Sequence, residues 1–478
     1  VRRSLARLVF PSLRGRGPGG SFAHEEPRIA GALAAGVGGF IVFQGTRASV
    51  HRLTRDLRRR AREPILIGAD LERGCSQQIA GLTDLPPPAA LGFVDDLDAT
   101  HAAGIVTSRE ARAVGVNWAF APVCDLDFET DNPIVQTRAF GAFPDRVGAH
   151  AAAWIRGAEE HGVLACAKHY PGHGRTTIDS HQGLPIVTTR LDELLATDVR
   201  PFAAAASGGV ASVMTAHVAF SAWDPSAVAA TFSAPILGHL RSALGFEGIV
   251  VTDALIMAGA TTAWPEAPAA VAAVAAGCDA LLYPRDFAAV VAALDRAVGA
   301  EIPAARAADA IARIDAAAAT WRAVAAAEEM PDLAAHAALA DRTAGRALYL
   351  VERGRAADLP RRIAVHVVDD DVGGPYTVGP RDIFERTLRA AGRGRDAGLG
   401  RGGPVIALYA EPRSWKGRAA LGERTMAQLV SLAPNAALIV LFGHPRLVTQ
   451  IPGSAPVLVA WHGMPLMQRT AARWVMRS

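Results

Sequence analysis

Short apolar runs alternate with longer segments whose apolar residues recur every three or four positions, from the N-terminus to about residue 327. The short runs, bounded by Gly, Pro or Asn, predict buried strands, and the longer segments predict helices. Strands are predicted over 5–10, 40–44, 64–69, 117–122, 163–167, 210–215, 248–252 and 279–283. Helices are predicted between them over 25–38, 48–61, 100–114, 146–161, 191–206, 235–244 and 268–276, with another from Phe287. Eight strand–helix units in about 300 residues is the size of a TIM (β/α)8 barrel. A doubly wound sheet is the alternative, but it seldom repeats the unit this often.

An Ala-rich helical stretch over 303–327 is followed by Glu328-Glu329-Met330-Pro331-Asp332, which reads as a boundary. The expected organisation is therefore a barrel over 1–327, a linker helix over 328–352 and a smaller α/β sandwich over 353–478. The second region has predicted strands over 363–368, 405–409, 437–442 and 457–461, with helices between them, the pattern of a parallel, layered sheet. A helix closes the chain over 466–476, and the Gly/Arg-rich stretch 392–403 reads as a loop.

The sharpest change of polarity follows the predicted strand at 163–167, in Lys168-His169-Tyr170-Pro171-Gly172-His173-Gly174-Arg175-Thr176-Thr177-Ile178-Asp179-Ser180-His181. Lys168 and His169 are expected where the strand ends, and Pro171, Gly172 and Gly174 force a loop. Asp179 and His181 lie two apart and point to one side if the segment is extended. A carboxylate beside an imidazole fixes its tautomer and raises its basicity. His173, between two glycines, is expected to shape the turn. Asp70, Asp125, Lys168, His169, His217 and Asp253 each fall at or just past the end of a predicted strand. In a barrel those ends converge on one face. Helix N-capping accounts for one or two aspartates, but not for Lys168 and His169.

Composition narrows the function classes. The chain has 478 residues, 50% hydrophobic and 20% charged, so it can bury a large core. A net charge of +3, evenly spread, gives no nucleic-acid surface. The run Arg58 to Arg60 reads as a solvated helix face. Cys75, Cys124, Cys166 and Cys278 are far apart and form no C-x-x-C pair, so they read as reduced, buried thiols, and neither a zinc site nor a cofactor is expected. No stretch is long and apolar enough to span a bilayer. Leu8-Val9-Phe10 is cut by Pro11, so no secretory h-region is read and a cytoplasmic setting is expected, while the opening on Val1 rather than Met leaves room for a missing leader. Gly15-Arg16-Gly17-Pro18-Gly19-Gly20 matches a dinucleotide fingerprint, but Pro18 interrupts it and the acidic ribose contact is missing. Asp125-Leu126-Asp127-Phe128-Glu129-Thr130 starts like a calcium loop and lacks its sixth-position glycine.

These motifs together resemble glycoside hydrolase family 3, in its β-N-acetylglucosaminidase (β-N-acetylhexosaminidase) branch. The matching pieces are Gly38-Gly39-Phe40-Ile41-Val42-Phe43, Asp70-Leu71-Glu72, Asn132-Pro133 with Arg138-Ala139-Phe140-Gly141, the Lys168 loop, and Val251-Thr252-Asp253-Ala254-Leu255-Ile256-Met257. The resemblance implies a retaining glycosidase acting on a small carbohydrate substrate, with peptidoglycan fragments as its source. Asp253 would be the nucleophile, and His181, oriented by Asp179, the general acid/base. Asp70, Arg138, Lys168 and His169 would hold sugar hydroxyls, with His217 and Met257 lining the pocket. Two departures touch the substrate. The family's arginine near Gln78 is missing, and Arg175 stands where the family usually has Asp. The second domain is also short for the family. Two rivals follow: a phosphorylase on the same fold, for which Arg175 is the motive, and a catalytically silent sugar-binding protein.

Overall fold

The structure is a computed structural model, and it describes residues 4–324, 329–354, 359–374, 378–394 and 403–477. These fall into two compact units. The first comprises Val1–Thr83, Leu97–Leu126 and Ala142–Leu333, and the second Asp84–Asp96, Asp127–Gly141 and Ala334–Ser478. Two short segments of the first 150 residues therefore group with the C-terminal region.

The first unit is α/β with parallel strands. Ser12–Arg14 pairs with Gly39–Phe43, which pairs with Leu66–Ala69, which pairs with Trp118–Ala119. Trp118 bridges Leu164 in parallel. Cys166–Tyr170 then pairs with Ser212–Thr215, and that strand with Ile249–Thr252. Val251 bridges Ala280, and Leu281–Leu282 pairs with Val9–Phe10. The succession of parallel pairings thus returns to the segment where it began. These strands are nearly all apolar and buried on both faces, as parallel strands covered by helices are. Phe10, Trp118 and Phe120 meet edge to face, with centroids 5.4 and 5.0 Å apart.

Local chemistry explains where the helices begin. Thr46 and Ser49 form a reciprocal capping box at the start of Arg47–Arg60, and Ser233 and Asp286 cap Ala234–Ser242 and Phe287–Ala297.

Several expectations need correction. Leu5–Leu8 is a 3-10 turn, capped by Ser4, and the strand starts only at Val9. The strand expected to end at Ala167 runs over Cys166–Tyr170, so Lys168 and His169 lie inside it and Pro171 ends it. The helix expected over 191–206 is two, Leu191–Ala196 and Arg200–Ser207, with Pro201 in the first turn of the second. The arginine run is not uniformly solvated. Arg60 pairs with Glu26 and Asp56, whereas Arg58 is largely buried, and that burial lowers its pKa to about 10.

The second unit is a five-stranded sheet in the order Tyr349–Val351, Val457–Val459, Leu438–Gly443, Val405–Ala410, Val365–Asp369. Helices cover both faces. Phe384, Leu388, Ala471 and Val475 pack on Ala407, Tyr409, Val440 and Phe442, while Leu429 packs with Ile406, Leu408, Ile439 and Leu441 on the other side. Alternation along each strand separates the two sets. The helix expected to run to about residue 352 ends at Ala347. Tyr349–Val351 is an edge strand antiparallel to Val457–Val459, so the sheet is mixed rather than wholly parallel. Most of the predicted loop at 392–403 lies outside the described residues.

Candidate active site

The carboxyl ends of the first unit's strands gather the charged side chains. Lys168 is 2% exposed, yet its ammonium is doubly paired, at 2.9 Å to Asp70 Oδ1 and 2.8 Å to Glu72 Oε1. A buried ammonium needs that compensation. Asp70 keeps 31% of its side chain exposed and Glu72 only 4%, so Asp70 is the member that faces the opening.

His169 points along the same face. Its Nδ1 lies 2.7 Å from Asp125 Oδ2 and its Nε2 3.9 Å from Asp253 Oδ2. Asp253 follows the strand Ile249–Thr252. Its Oδ1 accepts the Ala254 amide at 2.6 Å, and 22% of its side chain is exposed. Burial pushes the Asp253 carboxyl up. The imidazoles of His169, His217 and His181 and the Ala254 amide outweigh that, leaving a pKa lowered to about 2. It is ionised at any working pH.

The loop after Pro171 is fixed at its root and its tip. A Cβ on Gly174 would fall 1.9 Å from Leu126 O, so only glycine lets the loop lie this close to the Leu126 backbone. At the tip, Ser180 O accepts the Gly259 amide at 2.9 Å, tying the loop to the segment just past Asp253. Asp179 and His181 do meet, but not through extended geometry. The chain turns, with the Gln182 amide donating to Asp179 O at 2.8 Å, and Asp179 Oδ1 accepts both the His181 amide at 2.9 Å and its Nδ1–H at 2.7 Å. The Asp179 side chain is 0% exposed and that of His181 44%. Burial raises the Asp179 carboxyl, and bonding to His181 outweighs it, so the carboxyl stays below the usual range. The other oxygen, Oδ2, has no hydrogen-bond partner among the described residues. The carboxylate's charge is thus directed at His181.

His173 is held differently. Its Nε2 lies 2.9 Å from Ser180 Oγ and its Nδ1 2.8 Å from Thr176 Oγ1. Burial lowers its pKa to about 4, so the ring is neutral and engaged at both nitrogens.

The remaining expected residues are less closely placed. His217 is fully buried, with Nδ1 2.8 Å from Thr231 Oγ1 and Nε2 3.2 Å from Ala254 O, which locates it beside the Asp253 strand end as a packed, bonded ring. Met257 is buried at the start of the short helix Ala258–Thr261. Arg138 lies in the second unit, where its Nη1 donates to Ile134 O at 3.3 Å. Arg175 is taken up by the loop's own surroundings, at 2.8 Å from Asp198, 2.8 Å from Glu193 and 3.1 Å from Thr197 Oγ1. The sequence reading assigned no role to Glu72 or to Asp125. Glu72 lies two residues past Asp70 in a quoted motif, and that spacing was the available signal. Among the described residues no His/Cys/Asp/Glu cluster could hold a metal ion, and the four cysteines are free and buried.

An ionised carboxylate at a strand end and a carboxylate-backed imidazole on the neighbouring loop can supply a nucleophile and a proton carrier to one substrate. The glycosyl hydrolase family 3 N-terminal domain profile matches residues 17–317, and the chain belongs to that family. It is similar to a beta-hexosaminidase of Bordetella avium (strain 197N), 36% identical over 298 residues, covering 58% of this chain and 83% of that protein. It is also similar to a Cellulomonas fimi protein named beta-N-acetylglucosaminidase/beta-glucosidase, 34% identical over 275 residues. That match spans 55% of this chain but only about half, 49%, of the relative. Among solved structures, a family 3 beta-N-acetylglucosaminidase from Paenibacillus sp. str. FPU-7 superimposes with a TM-score of 0.87 at 25% identity, covering 100% of this chain and 96% of that one.

Proposed function

We propose that this chain is a β-N-acetylhexosaminidase that releases terminal β-linked N-acetylglucosamine and retains the anomeric configuration. The observation that carries the reading is the Asp179–His181 pair, at 2.7 Å, on a loop tied by Ser180 to the segment following Asp253. Asp253 attacks the anomeric carbon and forms a glycosyl-enzyme bond. His181, as imidazolium, gives a proton to the departing oxygen, and as imidazole it takes one from the incoming water. Asp179 stabilises the charged ring in the first of these states. A retaining mechanism needs an ionised nucleophile and a group that can give and then take a proton, roles that an aspartate held near 2 and a carboxylate-backed imidazole suit. Asp70, Lys168 and His169 hold sugar hydroxyls by charge-assisted hydrogen bonds.

In this reading the first unit is a (β/α)8 barrel, supported by parallel pairings that return to their starting segment. The second unit is the smaller α/β layer. Peptidoglycan-derived fragments are the proposed substrates, and the four free thiols suit a reducing compartment. The phosphorylase alternative rested on Arg175, whose guanidinium is occupied by Asp198 and Glu193.

The test is a comparison of kcat/KM for 4-nitrophenyl N-acetyl-β-glucosaminide and the corresponding β-glucoside, each with and without phosphate. The expected result is preference for the N-acetylated sugar with release of free sugar in both buffers. A preference for the glucoside, or a sugar 1-phosphate product, would reject the assignment.

A further inference from the structure

Asp125 has no role in the chemistry described so far. It is 1% exposed, and both its oxygens are turned toward one stretch of chain. Oδ2 accepts from His169 Nδ1 at 2.7 Å, while Oδ1 accepts the His169 amide at 3.2 Å and the His173 amide at 2.7 Å. Among the described residues no lysine or arginine pairs with it. The ring it holds presents its other nitrogen to Asp253 at 3.9 Å.

We infer that Asp125 is a positioning residue for the proposed reaction, holding His169 so that Nε2 faces Asp253 while anchoring the root of the loop that carries Asp179 and His181. With Nδ1–H committed to Asp125, the ring is fixed with Nε2 toward Asp253, whose carboxyl that ring helps to hold low. The groups facing His169 are Asp125, Asp253 and His173, whose ring centroid is 6.0 Å away. His173 carries no charge to compete, and Lys168 is neutralised by Asp70 and Glu72. Asp253 in turn sees His169, His217 and His181. The same carboxylate closes the turn through Pro171 and Gly172, because one oxygen receives the amides on both sides of it.

The inference rests on the glycosidase reading, so its test has one arm that needs activity and one that does not. Asp125→Asn keeps an oxygen for the two amides but puts an N–H donor against His169 Nδ1, which forces the other tautomer. We expect kcat/KM to fall roughly 10²-fold with an unchanged circular dichroism spectrum. We also expect [15N]histidine NMR of Asp125→Asn to show His169 Nδ1 unprotonated, because the asparagine N–H now donates to it. A loss of activity with His169 Nδ1 still protonated in Asp125→Asn means a merely structural role and overturns the inference, as does activity within threefold of wild type. The second arm is [15N]histidine NMR on the full wild-type chain, with the His169 signal identified by its absence in His169→Gln. A protonated Nδ1 supports the inference, and an unprotonated Nδ1 overturns it. This arm decides the matter if Asp125→Asn does not fold. A wild-type chain with no glycosidase activity but a protonated Nδ1 would reject the function while keeping the Asp125–His169 link.

Discussion

The two ends of the first unit's parallel strands use the same residue types for opposite purposes. At the amino ends, buried polar groups serve the backbone. Asn117 Oδ1 accepts the Ile67 amide at 2.7 Å, and Glu159 accepts the amides of Ala165 at 3.2 Å and Ala211 at 2.8 Å. Asp279 accepts the Val250 amide at 2.8 Å and pairs with Arg241 and Arg306, and Arg7 joins Asp315. At the carboxyl ends, carboxylates face side chains instead. Lys168 meets Asp70 and Glu72, His169 meets Asp125, and Asp253 Oδ2 stands 3.9 Å from an imidazole with part of its surface open. Groups at the amino ends complete hydrogen bonds that folding leaves open, so their loss costs stability. Groups at the carboxyl ends pair with one another, and Asp70 and Asp253 keep part of their side chains exposed, so in the proposed reaction their loss is expected to cost chemistry.

Substitutions at each end sharpen or break that contrast. The largest effect is expected at the carboxyl end. Asp253→Ala should lower kcat by about 10³-fold or more while leaving the melting temperature near wild type. Steady-state kinetics and calorimetry on the same sample check both halves, and a large melting shift would blur the distinction. Next is His181→Ala, which should slow cleavage of a natural disaccharide by roughly 10²- to 10⁴-fold and glycosylation by an activated aryl glycoside far less. Asp179→Asn should follow it more mildly. His173→Ala should show no dependence on the leaving group, because its ring is neutral and bonded at both nitrogens. Pre-steady-state glycosylation across a series of phenols measures this, and a steepened dependence in His173→Ala would move the acid/base assignment there.

At the amino end, Asp279→Ala leaves Arg241 and Arg306 without their shared carboxylate and the Val250 amide without its acceptor. Stability should fall by about 3–5 kcal/mol, with kcat of the folded fraction within about twofold of wild type. Urea titration and active-site counting separate the two quantities. The smallest effect is pH-dependent. Burial raises the Glu159 carboxyl to about 7 against the amides that lower it. A carboxyl raised in the folded state binds its proton more tightly there. Its stabilising contribution is therefore complete below the unfolded value near 4.5 and is lost as pH rises toward 7. Glu159→Gln should thus gain stability on the order of 2 kcal/mol at pH 8 relative to its difference from wild type at pH 4. A pH-independent difference would mean that the Glu159 carboxyl titrates alike in the folded and unfolded chain.

Much of this contrast was legible in the chain. The predicted apolar runs each overlap a parallel strand of the first unit, because burial on both faces imposes an unbroken apolar pattern, but Ser12–Arg14 and the short paired strands such as Gly45–Thr46 and Ile186–Val187 were missed. Gly172, Gly174 and Pro171 marked the loop, and the two-residue spacing marked Asp179 and His181 as partners. Other features were hidden because they depend on where strands come to lie. The sequence placed Lys168 and His169 after a strand, whereas the register with Ser212–Thr215 draws them into it. The spacing of Asp179 and His181 was read as extended geometry, and a turn produces the contact instead. Arg175 read as an anion-binding departure, but residues about 20 positions further on neutralise it. The edge strand Tyr349–Val351 gave no signal of its own, since three residues after a helix pair only because Val457–Val459 arrives beside them.

The sequence by itself determined most of the strand and helix segments, which residues carry charge at or near the strand ends, and which family motifs are present. These are local properties of composition and periodicity, fixed by backbone geometry and burial. Only the tertiary structure decided that Glu72 shares Lys168, that Asp125 stands behind His169, and that His173 is bonded at both nitrogens while His181 stays partly exposed. Those assignments depend on distances between groups tens of residues apart, or on the path of a loop. Such distances follow from the packing of the whole unit, and no local pattern encodes them.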